Sequence, residues 1–155
     1  MSTLQIGDNA PIFAAENQHN STISLEMFKG KKVVLYFYPK DMTPGCTAEA
    51  CNLRDNYDDL LAKGIVVIGV SADAVKLHQK FTETYKLPFH LIADTEKNII
   101  KAYGAWGPKK FMGRQYEGIL RKTFIIDEGG QILKIIEKVD TKNHFSQIIN
   151  ELNIK

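Results

Sequence analysis

Stretches with the hydrophobic spacing of strands alternate with stretches of helical spacing along this chain. Two continuous apolar runs, residues 33–38 and 65–70, predict strands buried on both faces of a sheet. Between them, apolar residues recur every three or four positions, which predicts one face of an amphipathic helix. Its members are Cys46, Ala50, Leu53, Tyr57 and Leu60. The alternation indicates an α/β domain.

Capping residues, proline and glycine mark the predicted ends of the helices. Thr43-Pro44 predicts a helix start, because a hydroxyl suits the N-cap and proline suits the first helical position. That helix is predicted to continue to Gly64. The predicted N-caps of later helices are Asp73, Asp94 and Asp140. Gly104 suits the left-handed position that follows a helix.

Shorter patterns predict the remaining strands and loops. The polar segment between residues 12–15 and 22–25 predicts an N-terminal β-hairpin. Residues 89–93 predict a short strand, and a second hairpin is predicted where residues 121–126 and 131–139 flank a glycine-containing turn. Residues 105–118 contain four glycines or prolines and are predicted to form a long loop.

Length and composition fit one globular domain that spans residues 1–155. The chain is 44% hydrophobic and 25% charged, which excludes disordered and fibrous classes. Its formal net charge of +2 gives no reason to expect a nucleic-acid partner. Residues 1–8 lack the basic head and apolar run of a secretory signal, and no apolar run approaches the roughly 20 residues that span a bilayer. We therefore expect a cytoplasmic protein without a membrane partner.

The chain has two cysteines, and the position of Cys46 suggests chemistry. Cys46 falls in the first turn of a predicted helix that follows a buried strand. The partial positive charge and free N–H groups at a helix N-terminus stabilise a thiolate. If Thr43 caps this helix, its hydroxyl points toward Cys46 and could bond the thiolate or a bound oxyanion.

Cys51 lies five residues after Cys46, and that spacing restricts what the pair can do. On an intact helix the two Cα atoms would be rotated by about 140° and lie roughly 8.7 Å apart. Disulfides require at most about 6.8 Å, so bridging needs the first turns of the helix to unwind. This suggests a transient catalytic disulfide. The alternative is that Cys51 is only a small buried residue.

Other cofactor chemistry fits the sequence worse. The cysteine spacing matches neither a structural zinc site nor a two-residue-spaced dithiol motif, and no phosphate-binding or dinucleotide-binding glycine motif occurs. We expect neither a metal nor another cofactor. The histidines are interpreted as structural or surface residues: His19, His78, His90 and His144.

Three segments carry a family resemblance. Residues 37–51 contain the pattern Pro-x3-Thr-x2-Cys and resemble the active-site motif of peroxiredoxins, in the form found in their bacterioferritin comigratory protein (PrxQ-type) subgroup. Residues 103–110 and 118–127 resemble later landmarks of the same subgroup in the same order. The resemblance implies a thioredoxin-like fold, with a central mixed β-sheet flanked by helices.

The resemblance also implies residue roles. Cys46 would be the peroxidatic cysteine, which peroxide oxidises to sulfenic acid, and Cys51 would be the resolving cysteine that forms an intramolecular disulfide with it. Thr43 would hydrogen-bond the thiolate and peroxide, and Pro39 would shield the pocket from water. Arg121 would hold the thiolate and substrate electrostatically.

The activity implied is that of an atypical 2-Cys peroxiredoxin. It would reduce hydrogen peroxide and organic hydroperoxides to water and alcohols, and a thioredoxin or similar reductant would recycle it. The subgroup resemblance favours a monomer with a role in antioxidant defence.

Some of these residues allow a second interpretation. An inward-facing Arg121 on its predicted strand needs an anion such as a thiolate, whereas at a strand end it could be solvated. Glu49, one helical turn after Cys46, could orient Arg121 or be an ordinary solvated carboxylate. Trp106 is expected to be a packing residue rather than a substrate contact.

Two other functions remain open from the residues alone. A redox sensor would use a disulfide between the two cysteines to change a binding surface without efficient turnover. A thiol–disulfide exchange protein on the same fold would show no preference for peroxide, although the cysteine spacing argues against it.

Overall fold

A five-stranded mixed β-sheet forms the centre of the protein, as the computed structural model describes it over residues 4–153. In chain order, the strands described are β1 (Ala14–Glu16), β2 (Thr22–Ser24), β3 (Lys32–Phe37), β4 (Ile65–Ser71), β5 (His90–Ala93), β6 (Trp106–Phe111), β7 (Arg114–Ile119), β8 (Lys122–Ile126) and β9 (Ile132–Ile136). The central sheet has the order β5-β4-β3-β8-β9. Its β3–β4 and β4–β5 pairs are parallel, and its β3–β8 and β8–β9 pairs are antiparallel, which confirms the predicted mixed sheet.

Helices cover this sheet on both faces. They are α1 (Pro44–Asp55), α2 (Tyr57–Ala62), α3 (Val75–Tyr85), α4 (Asn98–Ala102) and α5 (His144–Leu152). Within residues 4–153, no helix is long and apolar enough to cross a membrane. Residues 1–3 and 154–155, the ends of the predicted domain, lie outside the described residues, and the single domain over 1–155 stays a prediction.

Alternate residues of β3 enter two separate hydrophobic clusters. Val34 and Tyr36 pack with apolar residues of α1, α2, α3 and α5. Val33 and Leu35 point the other way and pack with α4 and the N-terminal segment. Both faces of β3 are therefore buried, as its uninterrupted apolar run predicts. The predicted N-terminal hairpin is also confirmed, because β1 and β2 pair antiparallel from Ala14↔Ser24 to Glu16↔Thr22.

Residues 105–118 form a hairpin, so the predicted long loop is wrong. Strands β6 and β7 pair antiparallel, and they connect through Met112 and Gly113. Both connecting residues have positive φ, 51° and 80°, as a tight two-residue hairpin turn requires. Much of the hairpin is exposed on both faces, so no buried face imposed an apolar alternation that the sequence could show.

The helix ends differ from the prediction in four places. The N-cap of α4 is Lys97 rather than Asp94, whose Oδ2 accepts a hydrogen bond from the Ile100 amide at 2.8 Å. The helix predicted to run to Gly64 is split into α1 and α2 at Asn56. The N-cap of α3 is Ala74, because the carboxylate of Asp73 instead accepts hydrogen bonds from Ser71 Oγ and the Asp41 amide. The N-cap of α5 is Asn143 rather than Asp140.

Gly69→Ala should destabilise the sheet. A Cβ at Gly69 would lie 2.9 Å from Leu91 Cδ2 and 2.9 Å from Tyr36 Cζ on the neighbouring strands. Overpacking of this kind costs about 1–3 kcal/mol. Urea unfolding should show this loss, whereas Gly129→Ala, whose Cβ would meet only Asp127 Oδ1 at 3.6 Å, should change stability by about 0.5 kcal/mol or less. Equal stability of the two variants would contradict this packing argument.

Candidate active site

A short turn between β3 and α1 leads into the site. Met42 has a φ of 68°, a left-handed conformation that costs a non-glycine residue about 1–2 kcal/mol. Thr43 then returns to extended backbone and is the N-cap of α1, with Pro44 at the first helical position, as predicted. The Thr43 hydroxyl donates to Lys40 O at 2.7 Å and makes no capping hydrogen bond, so the predicted bond from a capping hydroxyl toward Cys46 is not formed.

Cys46 is the third residue of α1 and is a free thiol with 1% of its surface exposed. Its Sγ accepts a hydrogen bond from Arg121 Nη2 at 3.2 Å. The sulfur therefore lies between the N-terminal turn of a helix and a guanidinium group. Both features favour negative charge on this atom.

Arg121 lies one residue before β8, rather than on the strand as predicted, and its guanidinium bridges two residues of α1. Besides Cys46, it donates from Nη1 to Glu49 Oε1 at 2.7 Å. Burial alone would lower the pKa of Arg121, but the charges of Cys46 and Glu49 outweigh burial and raise it. Gly45 leaves room for this contact, because a Cβ there would lie 3.4 Å from Nη2.

Glu49 is completely buried, in contrast to the solvated carboxylate that was one interpretation of the sequence. Burial raises its pKa to about 7, and the neighbouring Arg121 opposes that rise. Among the described residues, Glu49 Oε2 has no hydrogen-bond partner. It faces His144 Nε2 at 3.6 Å.

His144, interpreted from the sequence as a structural or surface residue, is a neighbour of the site. It comes from the first turn of α5 and is fully buried, with Nε2 2.8 Å from Thr123 Oγ1 and Nδ1 2.9 Å from Gln147 Oε1. Burial is the main cause that lowers its pKa to about 4, so the ring is neutral at pH 7. The one available signal was its spacing of four residues before buried Ile148, on the apolar stripe of α5.

Tyr36 and Lys109 also contribute to the surroundings of the site. Burial raises the pKa of Tyr36 well above its ordinary value, and the charges of Glu49 and Cys46 raise it further. Lys109 comes from the β6–β7 hairpin and donates to Ile119 O at 2.8 Å. Burial lowers the pKa of Lys109, and the charge of Arg121 lowers it further. The β6–β7 hairpin, in place of the predicted loop, thus contributes Lys109 to the surroundings of Arg121.

Cys51 lies on the same unbroken helix as Cys46 and is a free, half-buried thiol. Burial raises the pKa of the Cys51 thiol. Ideal helix geometry separates the two Cα atoms by roughly 8.7 Å, beyond the reach of a disulfide. The folded helix is therefore the form in which the two thiols cannot react with each other.

Pro39 and Trp106 are the two remaining sequence candidates. Pro39 directly follows the buried Tyr38 in the turn before α1 and is half-buried. Trp106 packs against the cluster on the opposite face, and its ring lies 5.3 Å from Lys97 Nζ and 5.9 Å from Lys101 Nζ. This placement agrees with the predicted packing role of Trp106.

The chain matches known proteins over almost its whole length. The AhpC/TSA family model matches residues 6–135. Peroxiredoxin Bcp of Bacillus subtilis is 44% identical over 150 residues, which are 97% of this chain and 96% of the relative. The structure of a Xylella fastidiosa PrxQ variant superposes with a TM-score of 0.91 at 27% identity, over 99% of this chain and 98% of that one. A Xanthomonas campestris bacterioferritin comigratory protein, whose structures concern alkyl peroxide reduction, gives a TM-score of 0.85 at 29% identity over 91% and 90% of the two chains.

These matches, together with a buried cysteine at the start of α1, define a thiol peroxidase of thioredoxin-like fold. The chain belongs to the AhpC/TSA family and, within it, to the Bcp (PrxQ-type) peroxiredoxins. The predicted family and the predicted fold class are both confirmed.

Glu49→Gln should change how stability depends on pH. The pKa of Glu49 rises from 4.5 to about 7 on folding, so the folded state keeps a proton that the unfolded chain loses. Stability of the parent should therefore fall as pH rises from about 4.5 to about 7, whereas glutamine cannot ionise. Both proteins would be compared in a Cys46→Ser background. Between about pH 5 and about pH 8, the unfolding free energy of the Glu49→Gln variant should rise by up to about 3 kcal/mol relative to that of the protein with Glu49.

Urea titrations at several pH values would measure this shift. Exposed Glu83→Gln is the matched control and should show no such pH dependence. Neutral His144 destabilises the fold only below its unfolded pKa of 6.5, and it is present in every variant, so its effect cancels. A Glu49→Gln difference that stays constant with pH would contradict the prediction.

Proposed function

We propose that Cys46 is the peroxidatic cysteine of this peroxiredoxin and that it reduces hydrogen peroxide and organic hydroperoxides. The observation that carries this proposal is the contact of 3.2 Å between the sulfur of buried Cys46 and Nη2 of half-buried Arg121. A fixed cation at that distance stabilises a thiolate. It also stabilises negative charge that moves onto the peroxide oxygens during attack.

The proposed first step transfers one oxygen atom to sulfur. The Cys46 thiolate attacks a peroxide oxygen, the O–O bond breaks, and the departing oxygen takes a proton to become water or an alcohol. Cys46 is left as sulfenic acid. The similarity to the Xanthomonas protein supports alkyl hydroperoxides as one substrate class.

In the second step, Cys51 resolves the sulfenic acid. The first turns of α1 unwind and the Cys51 thiolate attacks the Cys46 sulfur. The S–S bond forms as the S–O bond of the sulfenic acid breaks, and the departing hydroxide takes a proton to leave as water. Burial raises the pKa of Cys51 in the folded helix, so the unwinding that brings Cys51 to Cys46 also removes an obstacle to its ionisation. A dithiol reductant then restores both thiols by exchange.

Three further residues have proposed supporting roles. The hydrogen of the Thr43 hydroxyl is held by Lys40 O, so Thr43 is available to accept a hydrogen bond from a peroxide O–H. Pro39 lacks an N–H group and shields the sulfur from water. Glu49 holds Arg121 in place through the contact of 2.7 Å between Oε1 and Nη1.

The cellular setting is also part of the proposal. We infer that the protein acts as a cytoplasmic monomer and that a thioredoxin-like protein is its reductant. Two free cysteines in one helix support an intrachain disulfide, which needs no partner subunit. Sedimentation of the reduced and oxidised protein would test the monomer.

Intact mass after one equivalent of hydrogen peroxide tests the cysteine roles. The reduced parent should lose two hydrogens, Cys46→Ser should stay unchanged, and Cys51→Ser should gain one oxygen atom. The parent should also consume many equivalents of peroxide with a thioredoxin system, as an enzyme does and a stoichiometric sensor does not. No change in the mass of the parent would refute the role of Cys46.

Arg121→Lys should slow peroxide attack. Lysine cannot donate simultaneously to Cys46 and Glu49 in the forked geometry of a guanidinium. The second-order rate constant for sulfenic acid formation should fall about 100-fold, the scale expected for losing one oriented donor. Stopped-flow fluorescence would measure it, with Arg54→Lys at the half-exposed Arg54–Asp55 pair as the control. A rate within about twofold of the parent would contradict this role.

A further inference from the structure

Asp41 is a buried acid in the turn that leads to Cys46, and the proposed chemistry assigns it no task. Its neighbours Lys40 and Met42 are exposed, whereas Asp41 is 2% exposed. A charged side chain at an exposed turn would ordinarily point into water. Its inward orientation therefore needs compensating partners.

Those partners come from three other parts of the fold. Asp41 Oδ1 accepts from the Tyr38 hydroxyl at 2.5 Å, and Oδ2 lies 2.5 Å from His78 Nδ1 on α3. The backbone N–H of Asp41 donates to Asp73 Oδ2 at 2.8 Å, in the connection between β4 and α3. Burial and the charge of Asp41 raise the pKa of Tyr38, so the Tyr38 hydroxyl remains a donor.

The contact of His78 Nε2 shows which ring nitrogen carries a hydrogen. His78 Nε2 lies 2.9 Å from the carbonyl oxygen of Ile92, which can only accept, so Nε2 carries a hydrogen. Nδ1 and Asp41 Oδ2 then share one further proton. In either arrangement of that proton the pair is neutral overall, and both side chains are fully buried.

A metal ion fits this cluster poorly, although Asp41, Asp73 and His78 offer ligand atoms within 4.8 Å of one another. Two ligands that bind one tetrahedral ion at about 2.1 Å lie roughly 3.4 Å apart. The Asp41 Oδ2 and His78 Nδ1 atoms instead contact each other directly, closer together than two ligands of one ion.

We propose that Asp41 and His78 are positioning residues for peroxide attack, because their buried contact fixes the turn that carries Pro39 and Thr43 beside Cys46. The left-handed Met42 follows Asp41 directly, and such a conformation persists only where the surroundings enforce it. Released from His78, the turn would relax, and Thr43 would lose its place relative to Cys46. This inference rests on the proposed roles of Pro39, Thr43 and Cys46.

The contact between Asp41 and His78 does not involve α1, the helix that unwinds in the proposed second step. The side-chain partners of Asp41 are Tyr38, which directly follows β3, and His78 on α3. Among the described residues no hydrogen bond joins Asp41 to α1. The turn therefore stays fixed while the first turns of α1 open for Cys51. The pair should govern the peroxide step and leave disulfide formation nearly unaffected.

Rapid mixing of reduced protein with hydrogen peroxide resolves these two steps. In Asp41→Ala and His78→Ala, the second-order rate constant of the peroxide step should fall about 10- to 100-fold, as displacement of a reacting group does. The first-order rate constant of disulfide formation should change by less than about threefold. The exposed Lys80→Ala on α3 is the control and should match the parent in both steps.

Three further variants test whether the contact between Asp41 and His78 holds the turn in place. Asp41→Asn should keep most of the rate, because the amide can accept from Tyr38 and donate to an unprotonated His78 Nδ1. The double variant Asp41→Ala/His78→Ala should be no slower than either single variant by more than about threefold, since both remove one interaction. Tyr38→Phe removes a single donor and should slow the peroxide step several-fold even if the alanine variants do not fold.

Circular dichroism would establish that each variant is folded. The inference is overturned if folded variants keep the peroxide rate within about threefold of the parent, or if both steps slow by the same factor. With unfolded alanine variants, an unchanged peroxide rate in Tyr38→Phe would overturn it. A parent that forms no sulfenic acid would instead refute the proposed function itself, and the two failures are thereby distinguished.

Discussion

One half-buried cation, the guanidinium of Arg121, holds the rest of the site together. An unpaired arginine or glutamate inside a protein is costly, and here each compensates the other at 2.7 Å. The same group reaches Cys46, so one side chain at the edge of β8 joins two successive turns of α1. Loss of Arg121 would leave Glu49 and Cys46 without the cation on which both depend.

The turn before α1 and the first turns of α1 are held by different contacts. The turn before α1 is held by Tyr38, by Asp73 in the connection between β4 and α3, and by His78 on α3. Cys46 and Cys51, by contrast, lie on a helix whose first turns open in the proposed resolution step. Contacts between α1 and α5 resist that opening: Phe145 N donates to Asn52 Oδ1 at 2.8 Å, and His144 faces Glu49. The C-terminal helix therefore adds to the free energy needed to bring the two cysteines together.

Local signals in the sequence predicted the parts of the fold that depend on neighbouring residues. The apolar run of β3, the Thr43-Pro44 helix start and the spacing of the two cysteines all act over a few positions. The β6–β7 hairpin escaped prediction because most of its side chains face solvent on either side. Glu49 lies beside His144 and Asp41 contacts His78, although the members of each pair are distant in sequence. These contacts and the burial of the four side chains arise only when the helices dock.

Because both cysteines lie on a single continuous helix, the chemical state of the protein is tied to its secondary structure. The reduced form keeps the first turns of α1, and a disulfide between these thiols cannot coexist with them. Each catalytic cycle on this scheme melts and rebuilds a short piece of backbone. A reductant that binds the unwound segment would thus distinguish the oxidised from the reduced enzyme by the loss of those helical turns, without contacting the sulfur atoms.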